Sequence, residues 1–256
     1  MRVSDVLAWV RRYVPQLNAD EGVRVGDPQA EVQGILVCFM ATCDALRRAR
    51  QEGCNLVICH EDPFLPYEGL QGFPQTALTW TVNRRRLREI LEGSLTVLRL
   101  HGSLDRWLVF EAFREALGLP AEGEGEGYER IFLVEPAPLG EWVRRAKAAL
   151  GVPQVRVVGE VERPVSRIGL PWGGMALFVN IGFVERLIQR GADLLIGGES
   201  DDYALRYMAD AGVAFIETGH SISENLGLER FARLLQEGLP QIPVRFYANP
   251  IPYRWA

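Results

Sequence analysis

The stretch ALRRARQEGCNLVICHE, residues 45–61, decides the reading of this chain. It runs as an amphipathic helix, a glycine suited to the left-handed residue that closes a helix, and a near-continuous apolar segment. Apolar runs of that kind belong to strands covered on both faces. The unit recurs in VERLIQRGADLLIGGE (184–199) and in ALRYMADAGVAFIETGH (204–220), each time ending in a polar cluster. Helices alternating with such strands predict an α/β fold with largely parallel sheets flanked by helices, arranged as two interlocked α/β lobes. In open sheets of this type ligands bind beyond the carboxyl ends of the strands, where His60, Glu199 and His220 all fall.

Working outward, GILVCF (34–39) and LTVLRL (95–100) read as further strands, the second delivering His101. LVFEAFREALGL reads as a helix ending at Gly118, and PAEGEGEG (120–127) as an exposed linker or hairpin approach. ERIFLVEP, LGEWVRRAKAALG and VRVVGEVERPVSRIGL then give strand, helix and two strands. This partitions the chain into residues 1–119, a first lobe with a metal half-site; 120–170, a second-lobe segment; and 171–256, a C-terminal segment completing the site.

The 256 residues suffice for a substantial core, and 48% apolar with 24% charged residues is ordinary for a globular protein. A net charge of −5 argues against nucleic acid and anionic membrane as partners. MRVSDVLAWVRRYVP reads as an amphipathic helix ended by Pro15, without the apolar core of a signal peptide. No run approaches the roughly 18 apolar residues of a membrane span, so the expected compartment is the cytoplasm. Cys38, Cys43, Cys54 and Cys59 lack the close spacing of a zinc knuckle and read as buried thiols.

The chain has only three histidines, each just past an apolar segment and each near an acid. His220 and Glu224 are four residues apart, which on a helix places imidazole and carboxylate on one face. That pair suits a divalent metal; a capped helix with Ser221 or Ser223 as cap and Glu224 at the dipole is the plainer reading. In CHED, His60 with Glu61 or Asp62 is a metal half-site or a surface turn; adjacent side chains diverge, so His60 and Glu61 suit two neighbouring ions. In HGSLD, Gly102 argues against a helix, with Asp105 a ligand and His101 its supporting partner or a packed strand-end residue. Glu199 reads as a base or hydrogen-bond partner, or as part of a helix start, and PWGGM (171–175) as a tight turn.

At these residues the chain resembles the NGG-interacting-factor-like family of dinuclear metal-centre proteins, often named GTP cyclohydrolase 1 type 2 homologues. RVGDPQAEVQGILV, EGCNLVICHEDPF, LHGSLD, the Gly198–Glu199 step, ETGHSISENLGLERFARLL and YANPIP match its motifs in order. The resemblance implies two divalent ions (Zn, Fe, Mn or Mg): His60 and His220 on one, Asp105 on the other, Glu224 bridging. Glu61, or Asp62 one residue on, stands where the family has a second adjacent histidine, which implies an asymmetric pair of sites. Met40 replaces a common aspartate, and the loop after Asp105 is shortened. The function implied is a metal-dependent hydrolase acting on a nucleotide or phosphorylated small molecule. Glu199 and His101 would manage protons, and the protein would form a homo-oligomer, a hexamer in relatives. The alternative is a non-catalytic metal-binding or scaffold protein of the same fold.

Overall fold

A computed structural model describes residues 1–65 and 78–254. Elements are numbered along the chain. Helices are α1 (Val3–Val10), α2 (Cys43–Gln51), α3 (Thr81–Glu92), α4 (Gly102–Leu104), α5 (Phe110–Ala116), α6 (Leu139–Leu150), α7 (Ile181–Gln189), α8 (Asp202–Asp210) and α9 (His220–Gly238). Strands are β1 (Gly22–Val25), β2 (Ile35–Cys38), β3 (Leu56–Cys59), β4 (Thr96–Arg99), β5 (Phe132–Pro138), β6 (Arg156–Val158), β7 (Pro164–Gly169), β8 (Leu194–Gly197), β9 (Ala214–Glu217) and β10 (Val244–Tyr247).

The chain divides into two compact units. The first comprises Met1–Val109 and Gly227–Ala256, the second Phe110–Leu226. The unit boundaries therefore fall at 109/110 and 226/227, whereas the sequence reading places its breaks at 119/120 and 170/171. The Gly/Glu-rich stretch, read as an exposed linker or hairpin approach, is a loop inside the second unit, where Glu124 forms an antiparallel bridge with Ile131 as a hairpin approach would. Glycine and charge there record solvent exposure, which a loop within a unit has as much as a linker between two.

In the first unit the strand order is β1-β4-β3-β2-β10 among the described residues. The β10, β2, β3 and β4 neighbours are parallel, and β1 closes one edge antiparallel to β4. Side chains on both faces of β2 and β3 are buried, as their unbroken apolar runs require. One face (Leu36, Cys38, Val57, Cys59) packs on Ala45, Leu46 and Ala49 of α2 and Ile90 of α3. The Thr42 hydroxyl caps α2 by accepting from the Ala45 amide at 3.3 Å. Cys38, Cys59 and Arg99 stand in one cross-strand row. Residues following β3 and β4 therefore leave the sheet at the same edge.

The second unit repeats the scheme with order β5-β7-β8-β9-β6. Here β7, β8 and β9 are parallel, while β5 and β6 flank them antiparallel. Although β6 and β7 are consecutive in the chain, they lie at different places in the sheet. The α/β character matches the sequence reading; the antiparallel edges are the refinement. Gly197 of β8 and Glu217 of β9 are register partners, so Glu199 and His220 also emerge at one edge. No helix among the described residues is long and apolar enough to cross a membrane.

Candidate metal centre

In the first unit His60 follows β3 directly and is fully buried. Its Nδ1 lies 3.0 Å from the carbonyl oxygen of Leu100. A carbonyl only accepts, so Nδ1 carries the proton and Nε2 is the ring's acceptor nitrogen. That Nε2 faces Asp105 Oδ1 at 3.4 Å. His101 joins them: its ring centroid is 4.9 Å from that of His60, and its Nε2 is 3.6 Å from Glu61 Oε1. One ligand atom each from His60, His101 and Asp105 lie within 4.8 Å of one another, a spacing that suits a metal ion.

Asp105 reaches this position because a helical turn does form here. Leu104 N and Asp105 N both donate to the His101 carbonyl, and the backbone continues through a π-helical turn at Asp105–Val109. The expectation that Gly102 forbids a helix is corrected. The turn is capped from far away by Glu21, whose carboxyl accepts from the amides of His101 (2.5 Å) and Ser103 (2.8 Å) and from the Ser103 hydroxyl. The same carboxyl accepts from the Asn18 amide at 2.6 Å. A Cβ at Gly102 would stand 2.3 Å from Asn18 Nδ2, so the Asn18 side chain would have to shift to admit one.

Glu61 and Asp62 separate cleanly. Asp62 is buried, ion-paired to Arg24 at 3.0 Å, and its other oxygen accepts from the Phe64 amide. Burial nonetheless raises its carboxyl above the ordinary value, against the pull of the Phe64 amide and Arg24. Glu61, by contrast, faces His101.

The second unit builds its own cluster at the start of α9. His220 Nδ1 lies 2.9 Å from Glu199 Oε2, which fixes the proton on Nδ1 and turns Nε2 toward Glu224 Oε1 at 3.3 Å. The helical i, i+4 spacing expected for His220 and Glu224 is thus present. The plainer reading, Ser221 or Ser223 as cap, is not met: α9 already begins at His220, and the Ser223 hydroxyl donates to the His220 carbonyl (2.8 Å) and accepts from the Gly173 amide (2.9 Å). Gly173 is more than a turn residue. Its φ is +52°, and a Cβ would stand 2.1 Å from Glu224 Oε1. Glu199 is not the cap of α8; Asp201 is, accepting from the Tyr203 and Ala204 amides.

The donors fit a divalent cation on their own chemistry. In both clusters an acceptor nitrogen faces a carboxylate oxygen at 3.3–3.4 Å, an arrangement that calls for a positive charge between them.

The sequence pattern described as Duf34/NIF3 (NGG1p interacting factor 3) matches residues 1–252. The chain belongs to the Duf34/NIF3 family. A relative from Pseudomonas aeruginosa, named GTP cyclohydrolase 1 type 2 homolog, is 27% identical over 234 residues, 87% of this chain and 84% of its own length. A protein of the same name from Clostridium perfringens is 22% identical over 240 residues, covering 88% and 87%. The solved structure of protein ybgI, described as of unknown function, matches with a TM-score of 0.82 and 22% identity over 99% of this chain and all of its own. A Bacillus cereus protein related to NIF3 gives 0.82 with 14% identity over 100% and 99%. At these identities the solved structures speak to the fold.

Three supporting residues escape sequence reasoning. Glu21 is one. Arg99, wholly buried, donates from Nε to the His60 carbonyl (3.1 Å) and from a terminal nitrogen to Asp20 Oδ2 (2.6 Å). Asp20 is the third, its Oδ2 also 3.4 Å from His101 Nδ1. An arginine next to last in the mainly apolar LTVLRL, at the end of β4, is the one visible signal.

Proposed function

We propose that this chain is a metal-dependent hydrolase acting on a nucleotide or another phosphorylated small molecule. The observation that carries the reading is the repeated motif of a histidine locked by its Nδ1 with Nε2 directed at a carboxylate. In the first unit the proposed ligands are His60, Asp105 and Glu61; in the second, His220 and Glu224. Mixed imidazole and carboxylate donors suit Zn, Fe or Mn, with Mg favoured wherever oxygens dominate. A bound divalent ion would supply Lewis-acid polarisation of a phosphoryl group or a ring carbon–nitrogen bond.

The remaining work falls to the chain. Glu199 holds the proton on His220 Nδ1 and keeps Nε2 basic. His101, between Asp20 and Glu61, is placed to take a proton on one nitrogen and pass one from the other. Burial of His60, Asp105 and Glu224 excludes bulk water and strengthens their charges. The name of the relatives, GTP cyclohydrolase 1 type 2 homolog, points to the same reaction class.

The test begins with elemental analysis of protein purified without added metal, then of His60→Ala and His220→Ala. Each cluster brings its own imidazole and carboxylate, so each substitution should lower the metal content. Metal content unchanged by a substitution would show that its cluster holds no metal. Metal-loaded protein without turnover on nucleotides, phosphomonoesters or phosphodiesters would favour the scaffold reading.

A further inference from the structure

Beside the His220 cluster, within the second unit, two large aromatic side chains lie open to solvent. Phe178 is 45% and Tyr203 72% exposed, and their rings contact each other at 5.5 Å with an interplanar angle of 38°. Val179, next to Phe178 in the chain, is 86% exposed. Burying such rings elsewhere in the unit would stabilise it, so their exposure is a cost that folding alone does not explain.

Their backbone is held firmly and by the segments that build the cluster. Phe178 N donates to Asp201 Oδ2 at 2.8 Å, while Asp201 Oδ1 takes the amides of Tyr203 and Ala204, so one carboxylate ties the backbone at both residues. The Asn180 side-chain Nδ2 donates to the Gly174 carbonyl at 3.0 Å, and Ser200 Oγ to the Ala176 carbonyl at 3.0 Å. Gly174 lies against the His220 ring, a Cβ there standing 3.2 Å from His220 Cε1. Glu199 N donates to the Gly173 carbonyl at 2.7 Å. Phe178 is four residues from Gly174, at most about 14 Å. Asp201 is two residues from Glu199, at most about 7 Å.

We propose that Phe178 and Tyr203 form a stacking platform for a planar heterocyclic ring of the substrate, whose polar end meets the His220–Glu199–Glu224 cluster. This rests on the hydrolase reading above and sharpens its substrate class to compounds carrying a base or similar ring. A ring laid on these faces gains stacking without sequence of hydrogen bonds, and the effect per ring is roughly ten- to a hundredfold in affinity.

The experiment compares binding of GMP and ribose 5-phosphate, by calorimetry, to full-length protein equilibrated with Mn²⁺. Wild type should prefer GMP by about tenfold or more. Phe178→Ala/Tyr203→Ala should abolish that preference and leave ribose 5-phosphate binding unchanged, while Tyr203→Phe retains it. Both side chains are exposed, and thermal melts check that the variants fold. A preference that survives the double substitution overturns the proposal, as does a wild type that binds both probes equally or neither. A double variant whose only change is a smaller mass by sedimentation makes the patch a contact between copies and overturns it too. Manganese content measured on the same samples separates the two readings: retained GMP preference without retained metal leaves the platform standing and removes the metal.

Discussion

In the first unit the imidazole of His60 is buried and leans on the backbone carbonyl of Leu100; in the second, His220 is partly exposed and leans on the side chain of Glu199. Both end with Nε2 facing a carboxylate at nearly the same distance. The first arrangement is built into the sheet, since Leu100 follows β4 and its own amide donates to the Cys59 carbonyl. No substitution can delete that carbonyl. The second depends on one replaceable group, which makes it the half whose metal affinity mutation can tune. The approach also differs. A distant carboxyl, Glu21, organises the turn bearing Asp105, whereas a bare backbone, Gly173, makes room for Glu224.

Substitutions sharpen this contrast, from the largest effect downward. Glu21→Ala strips the acceptor from three amides and a hydroxyl in a buried setting and should cost about 4 kcal/mol of stability, read from urea unfolding. A loss below about 1 kcal/mol would mean that the first half does not depend on its distant cap.

Gly173→Ala drives a Cβ into Glu224 Oε1 and strains a left-handed backbone. Metal affinity at the His220 cluster should fall by more than about a hundredfold, with the His60 cluster spared. Unchanged binding in a calorimetric titration would show that Glu224 is no ligand.

Glu199→Gln keeps the shape and removes the charge from His220 Nδ1, for an expected ten- to hundredfold weakening. A matching effect from Asp62→Asn would contradict the assignment of that residue to Arg24.

The smallest effect lies beneath His60. Burial pushes the Cys59 thiol up to about 12 and raises Cys38 well above its ordinary value, so neither forms appreciable thiolate near pH 8. Burial likewise lifts Cys54, to about 11. Thiol labelling at pH 8 followed by peptide mass mapping should therefore modify Cys43 first, and labelling of Cys59 in folded protein would expose a breathing sheet edge.

Much of this molecule is written locally. The helix–glycine–strand units are legible because apolar periodicity and a helix-closing glycine act within about 15 residues: Gly53, Gly191 and Gly212 all take positive φ. His220 and Glu224 are legible for the same reason, being one helical turn apart. The turn at Gly102 is not, because its cap comes from Glu21, some 80 residues earlier. Asp62 reads as a possible ligand until Arg24 is seen beside it. The unit boundaries are hidden too, because α9 begins in one unit and ends in the other without any break in its helical pattern.

Sequence alone therefore determined the α/β units, the strand ends at which the three histidines emerge, and the resemblance to a family of metal-centre proteins. Tertiary structure alone decided which nitrogen of each histidine faces its acid, which of Glu61 and Asp62 remains near His101, and what orients them. The first set follows from backbone periodicity and side-chain hydrophobicity, which act between near neighbours. The second follows from hydrogen bonds between residues that only folding makes adjacent.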